Sequence, residues 1–167
     1  MSSTSDSIVH SFYLAYYGRP ADPAGLQFWS QQVDAANGDF TRIVDAFSSS
    51  AEATARFGSD SAADRIATIY QQLFDRAPDA GGLAYWQGAV EKGDITLADA
   101  AVQILQGAQG SDGTLAALRL QAGERFTATV AADGVHYDGL AAIQAAQVLI
   151  KAVGAHATDA DIATLVS

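Results

Sequence analysis

Ile69-Tyr-Gln-Gln-Leu-Phe-Asp-Arg-Ala-Pro-Asp-Ala-Gly-Gly-Leu-Ala-Tyr-Trp86 decides how the rest of the chain reads, because Phe12-Tyr-Leu-Ala-Tyr-Tyr-Gly-Arg-Pro-Ala-Asp-Pro-Ala-Gly-Leu-Gln-Phe-Trp29 repeats it. Tyr13 falls on Tyr70, Arg19 on Arg76, Asp22 on Asp79, Gly25 on Gly82, Leu26 on Leu83 and Trp29 on Trp86, at a constant offset of 57 residues. A block that recurs at fixed spacing is a copied supersecondary unit, and each copy needs a neighbour to cover its apolar face. Each copy reads as helix, tight turn, helix.

The first helix of each copy is written in its apolar stripe. Val9, Phe12, Tyr13, Tyr16 and Tyr17 fall at i, i+3, i+4, i+7 and i+8, and Ile66, Ile69, Tyr70, Leu73 and Phe74 repeat the spacing. Ser3 to Asp6 offer cap residues for the one, and Ser61 or Asp64 for the other. The second helix starts at Asp22 or Asp79, whose carboxylate can accept from a backbone N–H in the first turn, and Pro23 suits the first helical position. Gly25 and Gly82 then fall at the third helical position, where a missing Cβ lets the turn lie close to the preceding helix. Leu26, Trp29 and Val33 carry the apolar face onward, echoed by Leu83, Trp86 and Val90. Asn37-Gly38-Asp39 and Lys92-Gly93-Asp94 supply glycines for left-handed caps.

Third helices follow, with Ile43, Val44 and Phe47 in one copy and Leu97, Ala101, Val102 and Leu105 in the other. Gly107-Ala-Gln-Gly-Ser-Asp-Gly113 marks the clearest break. Beyond it the pattern predicts a helix near 114–130, a loop from Asp133-Gly134 to Asp138, a helix near 139–153, and a short helix from Thr158 with Asp161 completing a capping box. Nothing alternates at period two for long enough to make a strand. The expectation is an all-α chain: a single helical domain of unit one (about 6–58), unit two (about 61–107) and a packed helical tail (about 114–167).

The repeated pattern resembles a bacterial domain of unknown function (number 4214), whose units read Tyr…Gly-Arg-x-Pro-Asp-x-x-Gly-Leu-x-Tyr-Trp. In the first copy Arg19-Pro-Ala-Asp22 shifts the proline by one and Phe28 replaces Tyr; in the second, Asp75 stands where the family usually has Gly. Leu118-Arg-Leu-Gln-Ala-Gly-Glu-Arg-Phe-Thr127 with Tyr137-Asp-Gly-Leu140 is similar to the segment that commonly follows these repeats. The resemblance implies a secreted or cell-surface protein of a Gram-negative bacterium, of S-layer or RTX type, exported by a type I route, and this chain as the front part of something longer.

Composition sets bounds of its own. With 49% apolar and 17% charged residues, the 167-residue chain is suited to a packed core, and no apolar run approaches the ~20 residues that span a bilayer. The net charge of −10, with Lys92 and Lys151 as the only lysines, argues against nucleic acid, which needs a basic stripe to release counterions. The absence of cysteine removes disulfides and thiolate chemistry. The N-terminus carries no basic n-region and apolar core of a secretory signal peptide.

The repeated Tyr, Arg, Asp, Gly and Trp are read as architecture. Asp caps the incoming helix and Arg answers the carbonyls of the outgoing one. Trp29 and Trp86 go to the core, where Trp→Ala costs about 3–5 kcal/mol, while Tyr17, Phe28 and Tyr85 show an edge at the surface. His10, His136 and His156 have no zinc-ligand spacing, and neither a nucleophile elbow nor a phosphate loop is present. Asp112 and the His136-Tyr137-Asp138 stretch, on the two acidic loops, are the candidate ligand-binding residues. No metal set is assigned and no cofactor is firmly expected; calcium is the one considered, because Asp-rich loops offer oxygen ligands.

Taken with these features, the resemblance implies a non-enzymatic module, the N-terminal attachment part of an S-layer, RTX or adhesin-like protein, that binds surface polysaccharide or lipopolysaccharide. Calcium would bridge its carboxylates to anionic glycan. One alternative is a protein–protein assembly or linker module that binds copies of itself, and another is an enzyme acting on extracellular glycan, which would need a cleft holding carboxylates of perturbed pKa.

Overall fold

The computed structural model describes residues 4–135 and 137–167, and among these there are ten α-helices, one π-helical turn and no strand. Ser3, expected among the first cap residues, and His136 lie outside the described residues. Unit one runs α1 (Thr4–Phe12), a π-helical turn (Tyr13–Tyr17), α2 (Pro23–Ala35), α3 (Thr41–Ser48) and α4 (Ala51–Phe57). Unit two runs α5 (Ala62–Phe74), α6 (Ala80–Glu91) and α7 (Leu97–Gln106) and passes into the long α8 (Gly110–Asp133); α9 (Gly139–Ala152) and α10 (Asp159–Leu165) follow. None of the described helices is long and apolar enough to cross a membrane.

Local chemistry places most boundaries. Asp22 and Asp79 each accept from the backbone N–H of the glycine three residues on, at 2.9 and 2.8 Å, satisfying donors that the helix cannot. Ser61 caps α5, and Thr96–Asp99 and Thr158–Asp161 form reciprocal capping boxes on α7 and α10. Ser50, accepting from the Ala53 N–H at 3.0 Å, starts a new helix, so the third helical stretch of unit one is two short helices.

Both apolar stripes are buried along their whole length, and they meet in one continuous core. Each fully buried Ile, Leu or Phe contributes about 1.5–3 kcal/mol relative to exposure. Within the core α1 lies on α2 and α5 on α6, while α7 packs against the π-helical turn, α1, α3, α5 and α6. The α8 helix runs across α1, α2, the π-helical turn and α5, and α9 and α10 pack on α8.

Two expectations are corrected here. The break at 107–113 is shorter than its composition suggests: α8 begins at Gly110, so Asp112 sits in a first helical turn rather than in a loop. A carboxylate there answers the helix dipole and is drawn to a cation across the chain, described below. Tyr17 is buried rather than showing an edge, because its hydroxyl reaches Ser50 at 2.7 Å and its ring packs on Phe47 at 4.6 Å.

Arg119, fully buried on α8, ties unit two to the tail. Its guanidinium donates to the Gln72 carbonyl at 2.5 Å, to the Val153 carbonyl at 3.2 Å and to the Asp75 carboxylate at 2.8 Å. Asp75 holds a left-handed backbone (φ 57°), as its counterpart Gly18 does (φ 65°). An Asp at this position is thus explained by the charge it brings to Arg119, which outweighs the steric preference for Gly.

Candidate functional site

The repeated polar residues converge at one corner per unit. In unit one the Arg19 guanidinium lies 4.8 Å from the centre of the Tyr13 ring and grips Glu52 of α4 in a two-pronged pair, Nε to Oε1 and Nη2 to Oε2 both at 2.7 Å. Its Nη1 donates to the Pro20 carbonyl at 3.0 Å. In unit two the Arg76 guanidinium lies 5.4 Å from the Tyr70 ring, pairs with Asp112 of α8 at 2.5 Å, and donates from Nη1 to the Ala77 carbonyl at 2.9 Å. Planar guanidinium pairing of this kind fixes orientation as well as charge. Arg therefore does more than answer a helix end: it bolts the turn after the first helix to the start of the fourth.

The glycines belong to the same corner. A Cβ on Gly25 would meet the Tyr13 hydroxyl and lie 2.6 Å from an Asp22 oxygen; on Gly82 it would meet the Tyr70 hydroxyl at 3.3 Å. Tyr, Arg, Asp and Gly are thus mutually dependent, each filling or satisfying another.

The environments of the two corners differ. Arg19 is buried, with the tail laid over it: the Tyr137 ring is 5.7 Å from its guanidinium, Tyr137 Oη donates to the Pro20 carbonyl at 3.3 Å, and Thr127 Oγ1 to the Ala21 carbonyl at 2.7 Å. The Arg76 side chain is 44% exposed. Burial opposes the charge on Arg19, but the hydrogen bonds and field of Glu52 more than offset it and raise its pKa. Burial pushes the Tyr17 and Tyr137 phenols up to about 12, so they stay protonated. A guanidinium gripped by Glu52 and flanked by protonated phenols is a clamp that holds α4 and the tail to this corner.

The profile of the domain of unknown function DUF4214 matches residues 2–57 and again residues 44–110, together more than half of the chain. The chain belongs to this family. The two DUF4214 matches share residues 44–57, the segment that carries Glu52, and the second ends at α8, two residues before Asp112. No curated protein matches the chain, and neither does any solved structure.

The candidate ligand residues do not gather in one place. Asp112 is held by Arg76 in unit two, whereas Tyr137 is half-buried against Arg19 and Phe126 in unit one. Asp138 is exposed at the start of α9, and His136 lies outside the described residues. Among the described residues no group of three or more His, Asp or Glu is placed to hold a metal ion.

What each DUF4214 unit does present to solvent, at the same position, is an aromatic ring. Phe28 is 53% exposed and Tyr85 is 66% exposed. Each stands edge-on to the following Trp with the same geometry, ring centres 4.9 Å apart and planes at 79°. Trp29 and Trp86 are half-buried, packed against the core without being enclosed by it, a correction to full burial. The α6 helix contributes no fully buried residue, so Trp86 lies under an open face.

Proposed function

We propose that this DUF4214 chain is a non-enzymatic module of a bacterial cell-surface protein that attaches to surface polysaccharide or lipopolysaccharide. The observation that supports this reading is the repeated aromatic–Trp pair, whose outer ring is left in water in both units. The other repeated side chains are consumed by packing or by one another, whereas an exposed ring costs the fold and offers an apolar face on which a sugar ring can stack. The chain's charge of −10 gives no overall attraction to anionic glycan, so contact at the repeated rings runs through ring stacking and hydroxyl hydrogen bonds, with divalent cations bridging exposed carboxylates such as Asp138.

The test is co-sedimentation of the full chain with envelope material, or with purified lipopolysaccharide from its own bacterium, in millimolar calcium and again after chelation. Binding that persists after chelation supports direct sugar contact; binding released by chelation supports the cation bridge; no binding in either condition overturns attachment. Assembly through protein contacts is the second reading, supported by the exposed apolar residues Leu140 and Val148 on α9. It predicts reversible self-association in sedimentation velocity and no response to polysaccharide.

A further inference from the structure

One small cavity stands apart from the acidic character of the chain. Gly18, Arg56, Gln72, Gln147 and Lys151 enclose about 80 Å³, with no carboxylate among them. A wider hollow of about 220 Å³ between α4 and α9 shares Arg56 and Gln147 with it and adds Ala55, Leu140, Ile143, Gln144 and Glu52, whose carboxylate is held by Arg19, to its walls. Two of the chain's nine basic residues thus meet in a molecule of net charge −10.

Arg56 is half-buried and makes no ion pair among the described residues. Its Nη2 donates to the neutral Gln72 Oε1, and its Nε is buried without a partner. The acid that acts on it, Glu52, spends both carboxylate oxygens on Arg19 at 2.7 Å. Burial accordingly pulls the guanidinium below its usual value. A cation drawn out of water without a carboxylate is a cost to the fold that a bound anion would remove.

Unit two offers a comparison. In both units a guanidinium from the fourth helix meets the left-handed residue that ends the first: Arg119 meets Asp75, and Arg56 meets Gly18. Asp75 supplies its carboxylate to Arg119 at 2.8 Å. Gly18 supplies none; the neutral side-chain oxygen of Gln72 stands beside Arg56 instead, and the cavity opens next to them. A Cβ on Gly18 would sit 2.8 Å from Gln72 Oε1 and 3.1 Å from Arg56 Nη2, so the glycine also makes room for the guanidinium.

The geometry points to this cavity as a binding site for one carboxylate-bearing ligand, its carboxylate placed between Arg56 and Lys151. Gln147 lines the cavity and donates through Nε2 to the Tyr17 carbonyl at 3.0 Å, which leaves its Oε1 as an acceptor for a hydroxyl. Leu140 and Ile143 give the adjoining hollow an apolar wall. Charge, hydroxyl acceptor and apolar wall together fit a sugar acid. That source of the carboxylate rests on the glycan reading above; the carboxylate site itself does not.

The experiment is an amide and side-chain NMR titration of the full chain with a galacturonate trimer, sodium acetate and galactose at matched ionic strength. The expected result is saturable shifts at Gly18 and at the Gln72 and Gln147 side-chain amides with the trimer, and none with galactose. Lys151→Gln, at an exposed position, weakens binding at least fivefold, and Gly18→Asp, which sets a carboxylate of the chain's own beside Arg56, abolishes it. Equal affinity for acetate and the trimer upholds the carboxylate site and overturns the sugar-acid assignment. Absence of shifts with either carboxylate at tens of millimolar, or binding unchanged in Lys151→Gln, overturns the site.

Discussion

Replacing Gly25 with alanine tests the packed corner of unit one against its open copy in unit two. Alanine inside a helix is favoured over glycine by about 1 kcal/mol, so an uncrowded site would gain stability. At Gly25 the new methyl group meets the Tyr13 hydroxyl and lies 2.6 Å from Asp22 Oδ2. Tyr13 cannot step aside: its ring is held edge-on to Phe47 at 5.0 Å and beneath Arg19 at 4.8 Å. Relief must come from the Asp22 cap, worth about 1 kcal/mol, and from displacing a packed ring, worth about 1–3 kcal/mol. Gly25→Ala should therefore destabilise by about 1–3 kcal/mol. At Gly82 the nearest atom is the Tyr70 hydroxyl at 3.3 Å, in the corner whose arginine is solvent-exposed, so a small shift suffices. Gly82→Ala should fall within about 1 kcal/mol of the parent, because the propensity gain offsets that shift. Urea midpoints at unchanged slope measure both. A Gly25→Ala chain as stable as the parent, or equal effects at the two sites, would refute the reasoning.

The same asymmetry governs the ion pairs. Glu52→Ala leaves the buried Arg19 charge with only the longer contact to Asp22 at 3.8 Å and should cost about 3 kcal/mol, whereas Asp112→Ala, beside an Arg76 that solvent reaches, should cost under about 1 kcal/mol in the same denaturation assay. Trp86→Ala should cost about 2 kcal/mol, below the 3–5 kcal/mol of an enclosed aromatic, since Trp86 is half-buried; a thermal melt as low as that of a core cavity would contradict it. His10 is buried, and desolvation lowers its pKa from 6.5 to about 4, only partly opposed by Asp6. The unfolded chain takes up this proton first, so the contribution of neutral His10 is complete above pH 6.5 and is lost as pH falls toward 4. Comparing the parent with His10→Asn at pH 7.5 and pH 4.5 should show about 2–3 kcal/mol of acid sensitivity that the variant lacks.

The sequence carried whatever is decided within a few residues. The stripes Val9–Tyr17 and Ile66–Phe74, the Asp22 and Asp79 caps and the Thr158–Asp161 box are local, and each appears where its chemistry places it. Edges at Phe28 and Tyr85 were also legible, because they flank the apolar face without lying on it. Long-range partners were hidden. Glu52 and Asp112 lie more than thirty residues from the arginines they hold, and no local pattern marks one acid among nineteen. Tyr137 reads as a loop residue until the tail folds back onto Arg19, and Asp112 reads as a loop residue until α8 extends through it. The Arg56 cavity needs four separate segments to exist, and its one local sign is the contrast between Gly18 and Asp75.

Attachment through the repeated exposed rings is measured most directly with a Phe28→Ser, Tyr85→Ser double variant, compared with the parent for binding to surface polysaccharide of its own bacterium. Both rings stand largely in water, so the variant should melt within a few degrees of the parent. Its affinity should fall at least tenfold, as expected when two stacking surfaces are removed. An equally stable variant that binds as tightly as the parent would contradict the account.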